Sequence, residues 1–134
     1  MNGTALIHGS AALLAGLGAL QVVIALHDAI REPRFLKPVD KPLLGRLKKT
    51  RPSVAAAGRS YWEGVIGLNL SSALGLFTLA FLVELAQSPL MGWIRLPLIA
   101  LAALYALIAW RALPRVPAQA LALATVLLAG GWYW

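Results

Sequence analysis

The chain contains no cysteine and carries little charge. Its 134 residues include 12 Lys or Arg but only 5 Asp or Glu, so charged residues make up 13% of the total. The lack of cysteine excludes disulfides, thiolate metal sites and cysteine nucleophiles. A soluble domain normally carries about 25% charged residues. A chain of this length would still expose about a third of its unfolded surface to water, and 13% charged residues are too few to cover that surface. The shortage of charge indicates that much of the surface faces lipid.

Apolar residues take the place of the missing charge. Hydrophobic residues account for 60% of the chain, and its mean hydropathy is +0.75. Four stretches approach or exceed the roughly 20 mostly apolar residues that an α-helix needs to cross a bilayer. We predict membrane spans at residues 5–27, 61–85, 90–110 and 116–134. The expected fold class is therefore all-α, a four-helix transmembrane bundle that forms one domain over residues 1–134.

Positive charge is concentrated in one connection. Nine of the 12 Lys and Arg residues lie within residues 31–59, inside a predicted loop at 28–60. Arg111 and Arg115 lie in the connection between the third and fourth spans. Because basic loops stay on the cytoplasmic side, we predict both loops inside and both termini outside, in a multi-pass protein of the bacterial inner membrane. Such clustering is not the basic face of a nucleic-acid-binding domain, so no nucleic-acid partner is expected.

The basic loop has two interpretations. Prolines interrupt it, so one continuous helix is not expected, although Leu43, Leu44 and Leu47 predict a short amphipathic turn. The simpler interpretation is a solvated cytoplasmic loop. The alternative is a surface sensor that reads anionic lipid. The residues that would make those lipid contacts are Arg46, Lys48, Lys49 and Arg51.

Small residues recur along the second span. Gly67, Ser71 and Gly75 lie at four-residue spacing, and Gly64 lies one turn earlier on nearly the same face. In lipid, small residues favour helix association because they let two backbones approach closely. We predict that this stripe, Gly64, Gly67, Ser71 and Gly75, packs against another helix.

Polar side chains within the second span are candidates for binding. Asn69 is expected about a third of the way through the bilayer, with Ser71 and Ser72 close by. Polar groups at that depth are costly and usually find a partner. The simpler interpretation is an interhelical hydrogen bond, and the alternative is contact with a ligand or ion.

Ionisable residues near the ends of the first two spans are the other candidates. His8 and Glu84 share the outer leaflet in the predicted topology, so they can form a buried pair. A second polar group is expected at the inner face, from His27, Asp28, Tyr61 and Glu63. Either group could relay protons, but closeness to water favours an interfacial role. The two histidines are 19 positions apart (27 − 8), or about 28 Å along one helix, so they cannot ligate one metal ion or haem; no metal or cofactor is predicted.

One stretch resembles a known group of proteins. Residues 62–75 read Trp-Glu-Gly-Val-Ile-Gly-Leu-Asn-Leu-Ser-Ser-Ala-Leu-Gly, and Pro38-Val39-Asp40 precedes them. Both segments are similar to parts of a family of small, uncharacterised four-helix bacterial integral membrane proteins. Members of that family often carry His after the Ser, where this chain has Ser72. The resemblance implies a four-helix membrane fold and no particular activity.

The motif content favours a function without catalysis. The sequence contains no phosphate-binding glycine loop, zinc-ligand pair at helical spacing or nucleophile elbow, so no catalytic residue is predicted. Our leading hypothesis is a non-catalytic accessory subunit that packs against or stabilises a larger membrane protein complex, with the lipid bilayer and partner subunits around it. The alternative is a bundle that binds or transports a lipid, quinone or ion through Asn69, Ser71, Ser72 and Glu84.

Overall fold

A computed structural model describes residues 2–38, 40–51 and 59–133 of the chain. Parts of three predicted segments lie outside the described residues: Val39 of the Pro-Val-Asp segment, residues 52–58 of the basic loop, and Trp134 of the fourth span.

Helices account for the ordered secondary structure of the described residues, which include no strand. They are α1 (Gly3–Ile30), α2 (Lys41–Lys49), α3 (Tyr61–Leu85), a 3-10 segment (Pro89–Ile94), α4 (Arg95–Ala112) and α5 (Arg115–Tyr133). In lipid every backbone polar group needs an internal partner, which an apolar run obtains by forming a helix. Four helical stretches are long and apolar enough to cross a membrane: α1, α3, the 3-10 segment with α4, and α5. The all-α expectation is confirmed for this part of the chain.

The helix boundaries depart most from the predicted spans in α1 and in the third span. α1 extends beyond 5–27 at both ends, so Asp28 belongs to the helix and not to the loop. The third span begins as a 3-10 segment that starts at Pro89. Pro97, in the first turn of α4, has no amide hydrogen to donate to the carbonyl four residues earlier, which interrupts the helical hydrogen bonds where the two segments meet. α4 then ends where Leu113, which precedes Pro114, is extended.

A reciprocal cap starts α3. Ser60 N donates to Glu63 Oε2 at 2.7 Å, and Glu63 N donates to Ser60 Oγ at 3.3 Å. This arrangement is a capping box, which satisfies two of the donors that a helix N-terminus leaves without partners. Glu63 therefore serves the start of α3, and Tyr61 N donates to Thr50 O at 3.0 Å.

The basic loop contains a helix of its own. α2 has nine residues, carries Pro42 in its first turn and has no buried residue. Its partly buried leucines, Leu44 and Leu47, pack against a small cluster around Trp62. The amphipathic turn expected here is therefore a short helix whose apolar side faces residues of the same chain.

The chain divides into two compact units. One comprises Met1–Gly18 with Gly75–Trp134, and the other comprises Ala19–Leu74. The first unit has a core to which α1, α3, α4 and α5 all contribute, with fully buried side chains Leu14, Leu76, Leu79, Val83 and Leu128. The second unit has a smaller core of Ala25, Trp62 and Ile66.

Candidate functional site

A histidine–glutamate pair lies in the first unit. His8 Nδ1 and Glu84 Oε1 are 2.9 Å apart, and Gln87 Nε2 donates to Glu84 Oε2. Because a carboxylate only accepts, a neutral imidazole here donates from Nδ1 and keeps its acceptor lone pair on Nε2. The side chains of His8 and Glu84 are 57% and 41% exposed. The pair expected from the sequence is therefore exposed instead of buried, because no described helix covers this side of α1 and α3.

An open groove of about 470 Å³ begins at this pair. Its remaining lining residues are all apolar, four of them alanines and two of them phenylalanines: Ala11, Ala12, Ala15, Phe77, Ala80 and Phe81. We call it the His8–Glu84 groove. It carries its polar groups at one end and small or aromatic side chains along the rest.

Arg95 is held at the start of α4 in the same unit. Its Nε donates to Ala86 O at 3.1 Å, and its guanidinium carbon lies 5.9 Å from the centre of the Trp132 ring. A carbonyl just beyond a helix C-terminus and an aromatic face are both favourable surroundings for a cation. These contacts stabilise a half-buried charge, and they tie α4 to the end of α3 and to α5.

A buried carboxylate organises the second unit. Asp28 Oδ1 accepts from Arg34 N at 2.9 Å, and its Oδ2 accepts from Phe35 N at 2.9 Å and Leu36 N at 2.6 Å. His27 Nδ1 also lies 2.9 Å from Asp28 Oδ1. Hydrogen bonds to a charged acceptor are stronger than those to a neutral one, so this buried carboxylate fixes the turn that follows α1. Its contacts are those of a structural anchor.

The sequence pointed to Asp28 but not to this role. The prediction grouped it with His27, Tyr61 and Glu63, whereas Glu63 caps α3 and Asp28 binds backbone amides of residues 34–36. The local turns that an aspartate signals reach a backbone N–H about two residues on, whereas Asp28 binds amides six to eight residues on, so its role gave no local signal in the sequence.

The polar residues of α3 do not share one set of contacts. Asn69 Nδ2 donates to Val65 O at 3.0 Å, within its own helix, where we expected a bond to a neighbouring one. The carbonyl four residues earlier is the nearest acceptor for a short polar side chain on a helix, and it satisfies the amide without a partner helix. Ser72 is half-buried and Ser71 is exposed. A ligand contact by these residues remains a prediction.

The glycines of the small-residue stripe in α3 differ in whether they pack against another helix. Gly64 and Gly67 are exposed, and a Cβ added at either would meet no atom within 4 Å. A Cβ at Gly75, in contrast, would clash with the hydroxyl of Tyr105 in α4. Only the last glycine of the stripe is used for packing among the described residues.

The basic residues chosen for lipid contact lie in or just after α2. Arg46, Lys48, Lys49 and Arg51 are all exposed. Their contact with anionic lipid stays a prediction. Within the described ranges, no group of three or more His, Asp or Glu side chains is arranged to hold a metal ion.

The fold and these sites define a class. Four helices with the length and composition of membrane spans, with polar side chains confined to a few small groups, make this a multi-pass membrane protein. Comparison of the chain with known protein families, with curated proteins and with solved structures gives no match.

Proposed function

We propose that this protein is a non-catalytic accessory subunit that associates with a larger membrane protein through the exposed part of α3, which is the face that carries Gly64, Gly67 and Ser71. The single observation that carries the proposal is the open space beside Gly64 and Gly67. Glycine costs helix stability relative to alanine, and its advantage in a membrane helix is close approach of another helix. A partner helix would provide that approach at these two positions.

Neighbouring residues on α3 fit the same interpretation. Ser71 continues the stripe and is exposed, and a hydroxyl facing outward within a span is favourable when a partner helix offers it an acceptor. Leu68, the residue after Gly67, is 73% exposed, as expected for a side chain that faces lipid. The two kinds of surface adjoin on one helix, which is what a narrow helix–helix contact flanked by lipid requires.

The decisive experiment compares two exposed glycines. Gly16 in α1 is exposed and has no atom within 4 Å of an added Cβ, as is true of Gly67, but it lies outside the stripe. Native gels of membranes extracted with mild detergent should show the wild-type chain in an assembly larger than its own 14.3 kDa. We expect Gly67→Leu to release the chain from that assembly and Gly16→Leu to leave it bound. Wild-type chain migrating alone, or release by both variants, contradicts the proposal.

The proposal includes a topology and a location. We propose a single four-helix transmembrane bundle in the bacterial inner membrane, with residues 28–60 and 111–115 in the cytoplasm and both termini outside. The concentration of Lys and Arg within residues 31–59 supports this orientation. Because the chain has no cysteine, single cysteines report position cleanly. Thr50→Cys should react with an impermeant maleimide only after the cells are opened, and Asn2→Cys should react in intact cells with a permeable outer envelope. The reverse pattern contradicts the orientation.

A further inference from the structure

We propose that the His8–Glu84 groove binds a membrane amphiphile with an uncharged hydroxyl head group, a chemistry shared by hydroquinones and diacylglycerols. The groove belongs entirely to the first unit. Its residues are not those of the exposed glycine stripe, so ligand binding and partner binding are separable.

The groove is graded from polar to apolar along the helix axes. Ala11 and Ala15 lie three and seven positions from His8, and Phe81 and Phe77 lie three and seven positions from Glu84 in the opposite chain direction. At about 1.5 Å per residue, these positions lie about 5 and 10 Å from the polar pair. His8 is near the start of α1 and Glu84 near the end of α3, so the polar end lies toward a membrane surface. An amphiphile has the same gradient.

The polar end offers a hydrogen-bond acceptor, His8 Nε2, to a ligand that carries a donor. When the ring is neutral and Nδ1–H is donated to Glu84, Nε2 of His8 is an acceptor. No partner for this nitrogen lies among the described residues, and the side chain is largely exposed. Gln87 fixes the second oxygen of Glu84, so the carboxylate orients the imidazole as the carboxylates behind metal-bound or catalytic histidines do. A hydroxyl group is the uncharged donor that fits this acceptor.

Charge selects among the amphiphiles of a membrane. A fatty acid or an anionic phospholipid would bring a second negative charge beside Glu84, which has His8 and Gln87 as its partners in the groove. Like charges at short range in apolar surroundings repel strongly. A quaternary ammonium head has no hydrogen to donate to His8 Nε2. A neutral hydroxyl has neither drawback.

The apolar tail of such an amphiphile fits the part of the groove that is lined by alanine and phenylalanine. Alanines at positions 11, 12, 15 and 80 leave space that larger side chains would fill, and Phe77 and Phe81 border it. Binding sites for small molecules are usually apolar with a few polar groups that fix orientation. This groove has that composition.

Photolabelling tests the assignment on the intact chain. The probe is a long-chain alcohol with a diazirine in its tail, added to the purified protein in lipid nanodiscs. We expect labelled peptides to carry residues of the His8–Glu84 groove. An unlabelled short-chain hydroquinone and an unlabelled diacylglycerol, used as separate competitors, identify the source of the hydroxyl by which of them displaces the probe. The methyl ether of the competing compound and a fatty acid of equal length should displace it at least about fivefold less well.

Two variants and a control connect the labelling to the groove. His8→Phe removes the acceptor and keeps a ring, so we expect about three- to tenfold weaker labelling. Ala12→Phe places a ring in the groove from an exposed position, and it should abolish labelling. Ala103→Phe, at an exposed position of α4 outside the groove, should change nothing. Competition by the methyl ether or the fatty acid uses only wild-type protein, so a variant that fails to fold does not leave the question open.

Several outcomes overturn the proposal. They are labelling outside the groove, displacement by the ether or the fatty acid as effective as by the hydroxyl compounds, and labelling that survives both variants. Rapid disulfide dimerisation of Ala12→Cys in native membranes, with loss of labelling, would instead mean that a second copy of the chain covers the groove. None of these results bears on the exposed glycines of α3, so this proposal and the partner-binding proposal can fail separately.

Discussion

The two compact units differ in the contacts that stabilise each of them internally. In the first, α1 and α5 approach so closely that a Cβ on Gly3 would lie 2.7 Å from Gly131 O, and a Cβ on Gly131 would lie 2.8 Å from Gly3 O. In the second, Asp28 gathers the backbone N–H groups of residues 34–36 around one buried carboxylate. Beside its hydrophobic core, the first unit thus has a close backbone contact between two glycines, and the second has a buried carboxylate that binds backbone amides.

This difference follows from the local state of the backbone. Inside a helix the amides are already paired, so in lipid a helix gains most from close contact with another helix, where small residues help. Beyond the end of a helix the amides have lost their regular partners, and a side chain can supply the acceptor they need. Each unit therefore has one position at which a single substitution tests how it is held.

The largest effect is expected at Asp28. Asn in its place keeps one acceptor oxygen and turns an amide donor toward backbone N–H groups, so at least two hydrogen bonds to a charged group are lost. We expect Asp28→Asn to lower the free energy of unfolding in mild detergent by about 2–4 kcal/mol. Hydrogen exchange at residues 34–36 should accelerate with it.

Glu32→Gln is the control for that substitution, because Glu32 is exposed and lies in the same turn. It removes a negative charge without touching the hydrogen bonds to the amides of residues 34–36. If both variants accelerate exchange at residues 34–36 equally, loss of charge is responsible and the anchoring role of Asp28 is wrong.

The next effect is expected at Gly131 in α5. A Cβ here would meet Ile7 Cγ1 at 2.6 Å as well as the Gly3 backbone, and a backbone cannot move aside as a flexible side chain can. Forced overpacking typically costs about 1–3 kcal/mol, so Gly131→Ala should lower the free energy of unfolding by that amount. At Gly130, also within α5, the nearest atom to an added Cβ is Leu6 Cδ1 at 3.8 Å, which is ordinary contact. Because alanine favours a helix by up to about 1 kcal/mol over glycine, Gly130→Ala should be neutral or slightly stabilising, and equal losses from the two variants would contradict the close approach of α1 and α5.

How much of this was predictable from the sequence varies between the levels of structure. The four membrane-spanning helices followed from apolar length alone, because lipid leaves the backbone few alternatives. α3 begins at Tyr61, the residue expected, since Ser60 and Glu63 form a cap between residues close in the sequence. Apolar spans and helix caps depend on residues close together in the sequence, so they can be predicted from it.

Contacts between distant residues were less predictable. The Gly3–Gly131 approach was not anticipated, because single glycines at the two ends of a chain carry no spacing signal. The stripe at Gly64, Gly67 and Gly75 did carry one, yet only Gly75 meets another described helix closely. His8 and Glu84 were expected to pair from their shared depth, but exposure depends on where the other helices pack, which depth does not reveal.

Gly75 and Gly67 allow a matched test on one helix. Alanine at Gly75 would force the Tyr105 hydroxyl to move, and displacing a side chain from its rotamer costs about 0.5–1.5 kcal/mol. We therefore expect Gly75→Ala to be less stable than Gly67→Ala by about 1 kcal/mol in detergent. Combining Gly75→Ala with Tyr105→Phe removes the hydroxyl and should recover most of the difference. Absence of such coupling in this double-mutant cycle would show that the two side chains do not meet.

The smallest effect is expected at Gly67 itself, and it should have the opposite sign. An exposed glycine within a helix costs up to about 1 kcal/mol relative to alanine, and an added Cβ at this position would touch nothing in the chain. Gly67→Ala should thus raise the thermal midpoint of the isolated chain slightly, whereas the bulkier Gly67→Leu should disrupt the assembly in native membranes. A stability gain in isolation together with a loss of association is the signature of a residue kept for a partner. If Gly67→Ala instead destabilises the purified chain, Gly67 already packs against its own protein, and the exposed part of α3 loses its role as the interface.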